Sequence, residues 1–486
     1  MDCPPEENTG NLRTRTVTGI MWTLAEMFGR YGVTYAVTIY LARLLSPKDY
    51  GLVGLITALF AITAVIIEGG FRAALIRKKE VSQAGYNAVW LMSLALALAM
   101  YAALYFLAPH IARFYGEPQL TALTRLLGII LITNAASIVQ NTKLRRDMKF
   151  NRLALITIPA EILSGTTAIW MAYNGFGVMS LAAKIIIASV TAMILYRCVV
   201  RWRPTLELRA EPFKEFFKAG ASLSAVMMLG AIYKNVNALL IGKVFSMQTL
   251  GYYSFTEKVI NLTSNSVTSA VEQVTITSFS KIQDDNARLQ SGQRQAVQGA
   301  AAIIFPLMTA LAMLAEPLII LLLNDSWLPA VPYLRILCLT SAISPLCTIP
   351  NGVLMVKNLS LRLKIDSAAM LTMIAMAFAL VPLGIEVFLI GQTAHMLVLA
   401  AVIDYFKSRC LNCRFGTVFG YAAPVALSAA AMGAVLYFAM KLFNGAGLAQ
   451  CAVAATAGLA VYCLCLRIFK VEVFMRLLKI QTKPVP

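Results

Sequence analysis

Glu26 and Arg30 stand four residues apart in one long apolar stretch, and Glu68 and Arg72 repeat that spacing in the next, inside VIIEGGFRAALIRKKE. On a helix this interval puts acid and base on one face, where they can neutralise one another. Arg125, Glu161, Lys184, Lys234, Glu257, Glu272, Glu316 and Arg335 also lie in apolar surroundings. Each such charge costs about 2.5–3.5 kcal/mol on membrane-insertion scales, so it is expected to face a cavity or a partner. Turned inward, Arg30, Arg125, Lys184, Lys234 and Arg335 would give a cavity a cationic lining. The competing role is structural: internal ion pairs that fix helix packing, with Arg72 snorkelling towards the basic end of its segment. Gly69 and Gly70 remove bulk beside Glu68, which permits a close helix contact or a local break.

The elements that must carry these residues follow from composition. Of 486 residues, 59% are hydrophobic and 13% charged, against about 45–50% and about 25% in soluble domains. About fourteen apolar segments are each long enough to cross a hydrocarbon core as a helix. They fall near 16–41, 49–74, 84–107, 119–142, 153–174, 177–198, 218–242, 249–277, 298–323, 330–356, 365–384, 386–406, 416–443 and 447–468. The first is too long and too interrupted for a cleavable signal and is expected to be retained. The net charge of +19 does not point to nucleic acid, because the lysines and arginines gather on every second connection, as in Lys143, Arg145, Arg146, Lys149 and Arg152. That alternation predicts cytoplasmic N- and C-termini.

Residues 39–54, IYLARLLSPKDYGLVG, align without a gap on 239–254, LLIGKVFSMQTLGYYS, matching Arg43 with Lys243, Ser46 with Ser246 and Gly51 with Gly251. Six spans precede the second copy's first helix, so the halves share an orientation and should be related by an axis along the membrane normal. The expected fold is all-α and polytopic: an N-terminal lobe over 1–200, a C-terminal lobe over 201–415, and two extra helices with a tail over 416–486. Arg30 and Lys234 then lie mid-span on the first helix of each lobe. His395 is expected to pack, and Asp366 and Asp404 to be solvated or paired near span ends. Cys410 and Cys413 form a C-x-x-C without a second pair, and no Gly-rich nucleotide loop occurs, so no cofactor or metal is expected.

LARLLSPKDYGLVGLITALF followed by EGGFRAALIRKKE resembles the first two helices of Wzx-type polysaccharide transporters of the multidrug/oligosaccharidyl-lipid/polysaccharide exporter superfamily, and TSFSKIQDDNARL at 277–289 is similar to their connection after the eighth helix. The chain looks closest to the exopolysaccharide branch with colanic-acid and succinoglycan exporters. The resemblance implies a non-enzymatic flippase in a bacterial inner membrane. It would move undecaprenyl-diphosphate-linked oligosaccharide repeat units by alternating access, for exopolysaccharide or lipopolysaccharide synthesis. Under that reading Arg30, Lys234, Arg125, Lys184 and Arg335 complement the diphosphate, since a bare anion in low dielectric is prohibitive. Asn235 and Asn237 meet sugar hydroxyls or hold helices together, and Glu26, Glu68 and Arg72 serve coupling or gating. The partners implied are the lipid-linked oligosaccharide, membrane lipids, protons or sodium, and polysaccharide polymerases. A cation-coupled multidrug antiporter of the same superfamily is the alternative, and a membrane polymerase or ligase for lipid-linked glycans a more distant one.

Overall fold

The computed structural model describes residues 29, 32–78, 80–147, 149–205, 210–443, 447–471 and 474–475. Every element among the described residues is helical. In chain order they are α1 (32–44), α2 (Pro47–Ala64), a π-helical turn (Val65–Gly69), α3 (Gly70–Arg77), α4 (Gln83–Tyr115), α5 (Gln119–Leu127), α6 (Ile129–Arg146), α7 (Phe150–Tyr173) and α8 (Val178–Val199). They continue as α9 (Ala210–Val244), α10 (Met247–Lys281), α11 (Asn286–Met313), α12 (Ala315–Leu322), α13 (Ala330–Lys357), α14 (Leu359–Leu380), α15 (Ile385–Leu411), α16 (Thr417–Phe443) and α17 (Leu448–Ile468).

Eleven stretches among the described residues are long and apolar enough to span a bilayer. They coincide with eleven of the expected segments; of the other three, 218–242 and 249–277 fall on α9 and α10, while 16–41 reaches α1 only at its end, residues 16–28 lying outside the described residues. The segment expected at 49–74 is not one regular helix, because the π turn interrupts it directly before Gly70.

The chain forms two compact units, Met1–Gly251 and Tyr252–Pro486. In the first, α7 pairs with α8, α4 packs on α5, α6 and α9, and α9 also lies against α2 and α3. Phe71, Leu75, Val89, Ile138, Trp202 and Phe216 form one of its cores. In the second, α13 packs on α11 and α15, while α16 packs on α11 and α17. One continuous core, including Leu289, Phe305, Ile349, Leu436 and Tyr462, ties α16 and α17 to α11 and α13.

The repeated motif has a local meaning. Ser46 caps α2 by accepting the Asp49 N–H at 3.3 Å, while the Asp49 carboxylate accepts the Ser46 N–H at 3.0 Å. Ser246 caps α10 in the same way, accepting the Thr249 N–H at 3.2 Å. Each hydroxyl satisfies a donor that the first helical turn leaves free. The matched glycines then meet. A Cβ at Gly51 would fall inside the Met247 carbonyl, and one at Gly251 inside the Pro47 carbonyl. The two clashes are reciprocal at the offset that separates the sequence copies, as a local two-fold between the copies requires.

Candidate functional site

Glu68 sits in the π turn, and its carboxylate is mostly buried. The turn exists where β-branched Val65, Ile66 and Ile67 run into Gly69 and Gly70. A π turn widens the helix by one residue and removes regular backbone pairing locally. Here the buried Gly70 N–H donates to the Ser224 hydroxyl of α9 at 3.1 Å. The helices touch backbone to backbone: a Cβ on Gly70 would strike the Gly220 carbonyl, and one on Gly220 the Phe71 ring. Gly70 therefore sits at both a local break and a close crossing, which the sequence had offered as alternatives. Arg72, one turn beyond, closes an ion pair on Glu68, and its Nε remains buried without a hydrogen-bond partner.

Sequence reasoning overlooked Gly220 and Ser224. Their signal was legible as two small residues four apart in GASLS, the spacing that lets helix backbones approach. Ser224→Ala should cost about 1–3 kcal/mol, because it strands a buried N–H. Thermal unfolding of the detergent-solubilised protein checks this, and an unchanged midpoint would contradict the contact.

Lys234 lies ten residues beyond Ser224 on α9, roughly 15 Å further along the axis. It is exposed and forms no ion pair or hydrogen bond among the described residues. Asn235 is folded back onto its own helix, donating to the Ala231 carbonyl at 2.8 Å. Asn237 is buried, and its Oδ1 has no hydrogen-bond partner. The same unit therefore holds Lys234 and Asn237 on α9, and the Glu68–Arg72 pair where α9 is crossed.

The other expected cations are engaged elsewhere. Lys184 of α8 is buried and faces Glu161 of α7 at 3.9 Å. Arg125 of α5 lies 4.3 Å from the centre of the Tyr105 ring and donates through Nε to the Tyr105 carbonyl at 3.3 Å, so it is held against α4. Arg335, in the Tyr252–Pro486 unit, meets Glu316 at 3.3 Å beside a cavity of about 780 Å³ that Lys441 and Tyr437 also line. Glu26 and Arg30 lie outside the described residues. Of the remaining groups, His395 pairs with the Thr372 hydroxyl at 2.9 Å, and Asp366 with Arg362 at 3.3 Å.

The partly buried polar groups that join α6 to α8 were not singled out from sequence. Ser189 donates to Asn134 Oδ1 at 3.0 Å and lies 2.5 Å from the Thr133 hydroxyl. Three small polar residues scattered in apolar sequence look like ordinary interhelical glue, and only the packing brings them together.

Residues 40–332 match the family described as polysaccharide biosynthesis protein. The succinoglycan biosynthesis transport protein ExoT of Rhizobium meliloti (strain 1021) is 24% identical over 341 residues, covering 70% of this chain and 69% of that protein. The lipopolysaccharide biosynthesis protein WzxC of Escherichia coli (strain K12) is 20% identical over 349 residues, with 71% of each chain covered. Among solved structures, the lipid II flippase MurJ in an inward closed conformation superimposes with a TM-score of 0.74 at 15% identity, over 93% of this chain and 98% of that one, which shows a shared fold. With the family match spanning more than half of its length, this multi-pass membrane chain belongs to the polysaccharide biosynthesis protein family.

Proposed function

We propose that this transporter flips undecaprenyl-diphosphate-linked oligosaccharide repeat units across a bacterial inner membrane, supplying exopolysaccharide or lipopolysaccharide synthesis. It does so by alternating access between the repeat-related lobes, with both termini in the cytoplasm. Family membership supports the task and argues against an enzyme. The geometric observation that carries the reading is Lys234, an exposed ammonium in a long helix with no partner among the described residues. In a spanning helix such a charge is tolerated where it meets water or an anionic cargo. Asn237, buried nearby with an unused oxygen, suits a sugar hydroxyl. Arg30 would supply the matching cation from the first lobe. Lys184, Arg125 and Arg335 would join in only if Glu161, Tyr105 and Glu316 release them during the cycle.

Glu68 and Arg72, with Glu26, are the proposed coupling or gating groups, since an ion pair at a helix crossing changes when the crossing moves. Proton or sodium gradients and polysaccharide polymerases are the proposed external partners. Lys234→Ala should leave membrane insertion intact and lower polymer export roughly 10- to 100-fold, the equivalent of one charge-assisted hydrogen bond to phosphate. Lys234→Arg should retain most of the export. Normal export by the alanine variant at matched protein levels would reject the assignment. Flipping assayed in vesicles, with each gradient collapsed in turn, would identify the coupling ion.

A further inference from the structure

Away from the α9 site, five cationic residues gather where four helix ends meet in the Met1–Gly251 unit. The start of α4, the end of α6, the start of α7 and the end of α8 with its following strap enclose a cavity of about 870 Å³. Lys143, Lys149, Arg152, Arg201 and Arg203 line it together with one carboxylate, Asp147. Lys149 already takes that carboxylate at 2.8 Å. Arg152, Arg201 and Arg203 have no acidic partner among the described residues, so the cavity keeps a strong positive excess.

The strap that carries Arg201 and Arg203 is held in place. The buried Trp202 donates through its indole N–H to Gln83 Oε1 at 3.0 Å, and the Gln83 amide donates to the Arg203 carbonyl at 3.1 Å. Asn87 donates to the Thr205 hydroxyl at 2.6 Å and accepts the Thr205 N–H at 3.2 Å. Lys143 rests over the Tyr86 ring at 4.9 Å. A basic stretch kept only for orientation would need none of this fixing, whereas guanidinium groups displayed on anchored backbone are pre-organised for a phosphate.

The surroundings indicate where the phosphate comes from. Arg152 stands three residues before Leu155 on α7, and Ile194 four residues before Cys198 on α8, both Arg152 and Cys198 lining the cavity, so each pair shares a helix face. Leu155 is 67% exposed and Ile194 51% exposed, while Leu153, Ile156 and Tyr196 turn inward to a common core. An exposed apolar strip on two spanning helices thus ends at the cationic cavity. An acyl chain can lie along that strip with its headgroup in the cavity, which a soluble anion would not use.

The geometry points to a structural site for the phosphate headgroup of an anionic membrane lipid, formed by Arg152, Arg201 and Arg203 with Lys143 and Lys149 at its rim. Basic pockets between spanning helices on the cytoplasmic side are suited to such headgroups. The site is independent of the cargo assigned to α9.

The test compares the full-length protein in nanodiscs of phosphatidylglycerol and of phosphatidylcholine, and counts retained lipids by native mass spectrometry. Phosphatidylglycerol should raise the unfolding temperature by at least about 2 °C and remain bound on the folded protein. Both effects should vanish in the double variant R152Q/R201Q, whose unfolding in phosphatidylcholine should match wild type. Both should persist in K281Q/R288Q, which removes as many charges from another basic connection. Equal lipid retention by R152Q/R201Q and wild type would overturn the site. So would an equal loss in K281Q/R288Q, which would mean diffuse charge attraction. If inorganic phosphate added to the phosphatidylcholine sample reproduces the whole stabilisation, the lipid assignment falls.

Discussion

Lys407→Ala should destabilise the protein by about 3–5 kcal/mol, the range for removing one partner of a buried ion pair. Lys407 and Asp404 have no exposed side-chain surface, and their charged atoms lie 2.8 Å apart. The pair also fixes the turn from α15 to α16. Lys407 donates to the Thr417 hydroxyl at 2.7 Å, and the second Asp404 oxygen accepts the Gly416 N–H at 2.6 Å. Gly416 has φ of 87°, a conformation other residues adopt only with strain. Removing the ammonium leaves a fully buried carboxylate without its countercharge. The combined change Asp404→Leu with Lys407→Met should recover much of the loss, since an apolar pair of similar volume avoids desolvating two charges. Unfolding midpoints of the two single variants and the double variant measure the coupling. A single variant as stable as wild type would show that the pair contributes nothing to the turn.

Gly51→Ala and Gly251→Ala should each cost about 3 kcal/mol or more, at or beyond the upper end of ordinary overpacking. The added methyl meets a backbone carbonyl rather than a flexible side chain, so it can be relieved only by moving α2 away from the start of α10. Gly230→Ala on α9 gives the contrast. A Cβ there meets nothing within 4 Å, and helix propensity alone should make the change neutral or stabilising by up to about 1 kcal/mol. Expression level and unfolding temperature of the three variants would decide. Equal behaviour of Gly51→Ala and Gly230→Ala would remove the case for a close crossing. Because the contact joins the two copies of the repeated motif, its loss should also depress export more than an equally destabilising change in a peripheral core.

Much of the local chemistry was readable before the fold. The Glu68–Arg72 pair follows from helix geometry, which places residues four apart on one face. The Ser46 and Ser246 caps follow from a hydroxyl three residues before the amide it satisfies. Asp404 was expected to be solvated or paired near a span end, and Lys407 three residues on is its partner. Its complete burial was not expected, because a charge close to a basic connection usually reaches water. Likewise, Lys184, Arg125 and Arg335 were recognised as costly charges, but their partners lie on other helices, at Glu161, Tyr105 and Glu316.

Sequence by itself determined that this is an all-helical membrane protein, where eleven of its bilayer-length helices run, and that a motif recurs at an interval of 200 residues. Those properties are one-dimensional: segment length against bilayer thickness, charge on alternate connections, and residue identity at a fixed offset. Only the tertiary structure decided that Gly70 crosses Gly220, that Lys184 faces Glu161 while Lys234 has no partner among the described residues, and that scattered arginines share one cavity with an anchored strap. Such pairings depend on the rotation and depth of each helix within its unit. Many packed side chains set those together, and no local sequence interval encodes them.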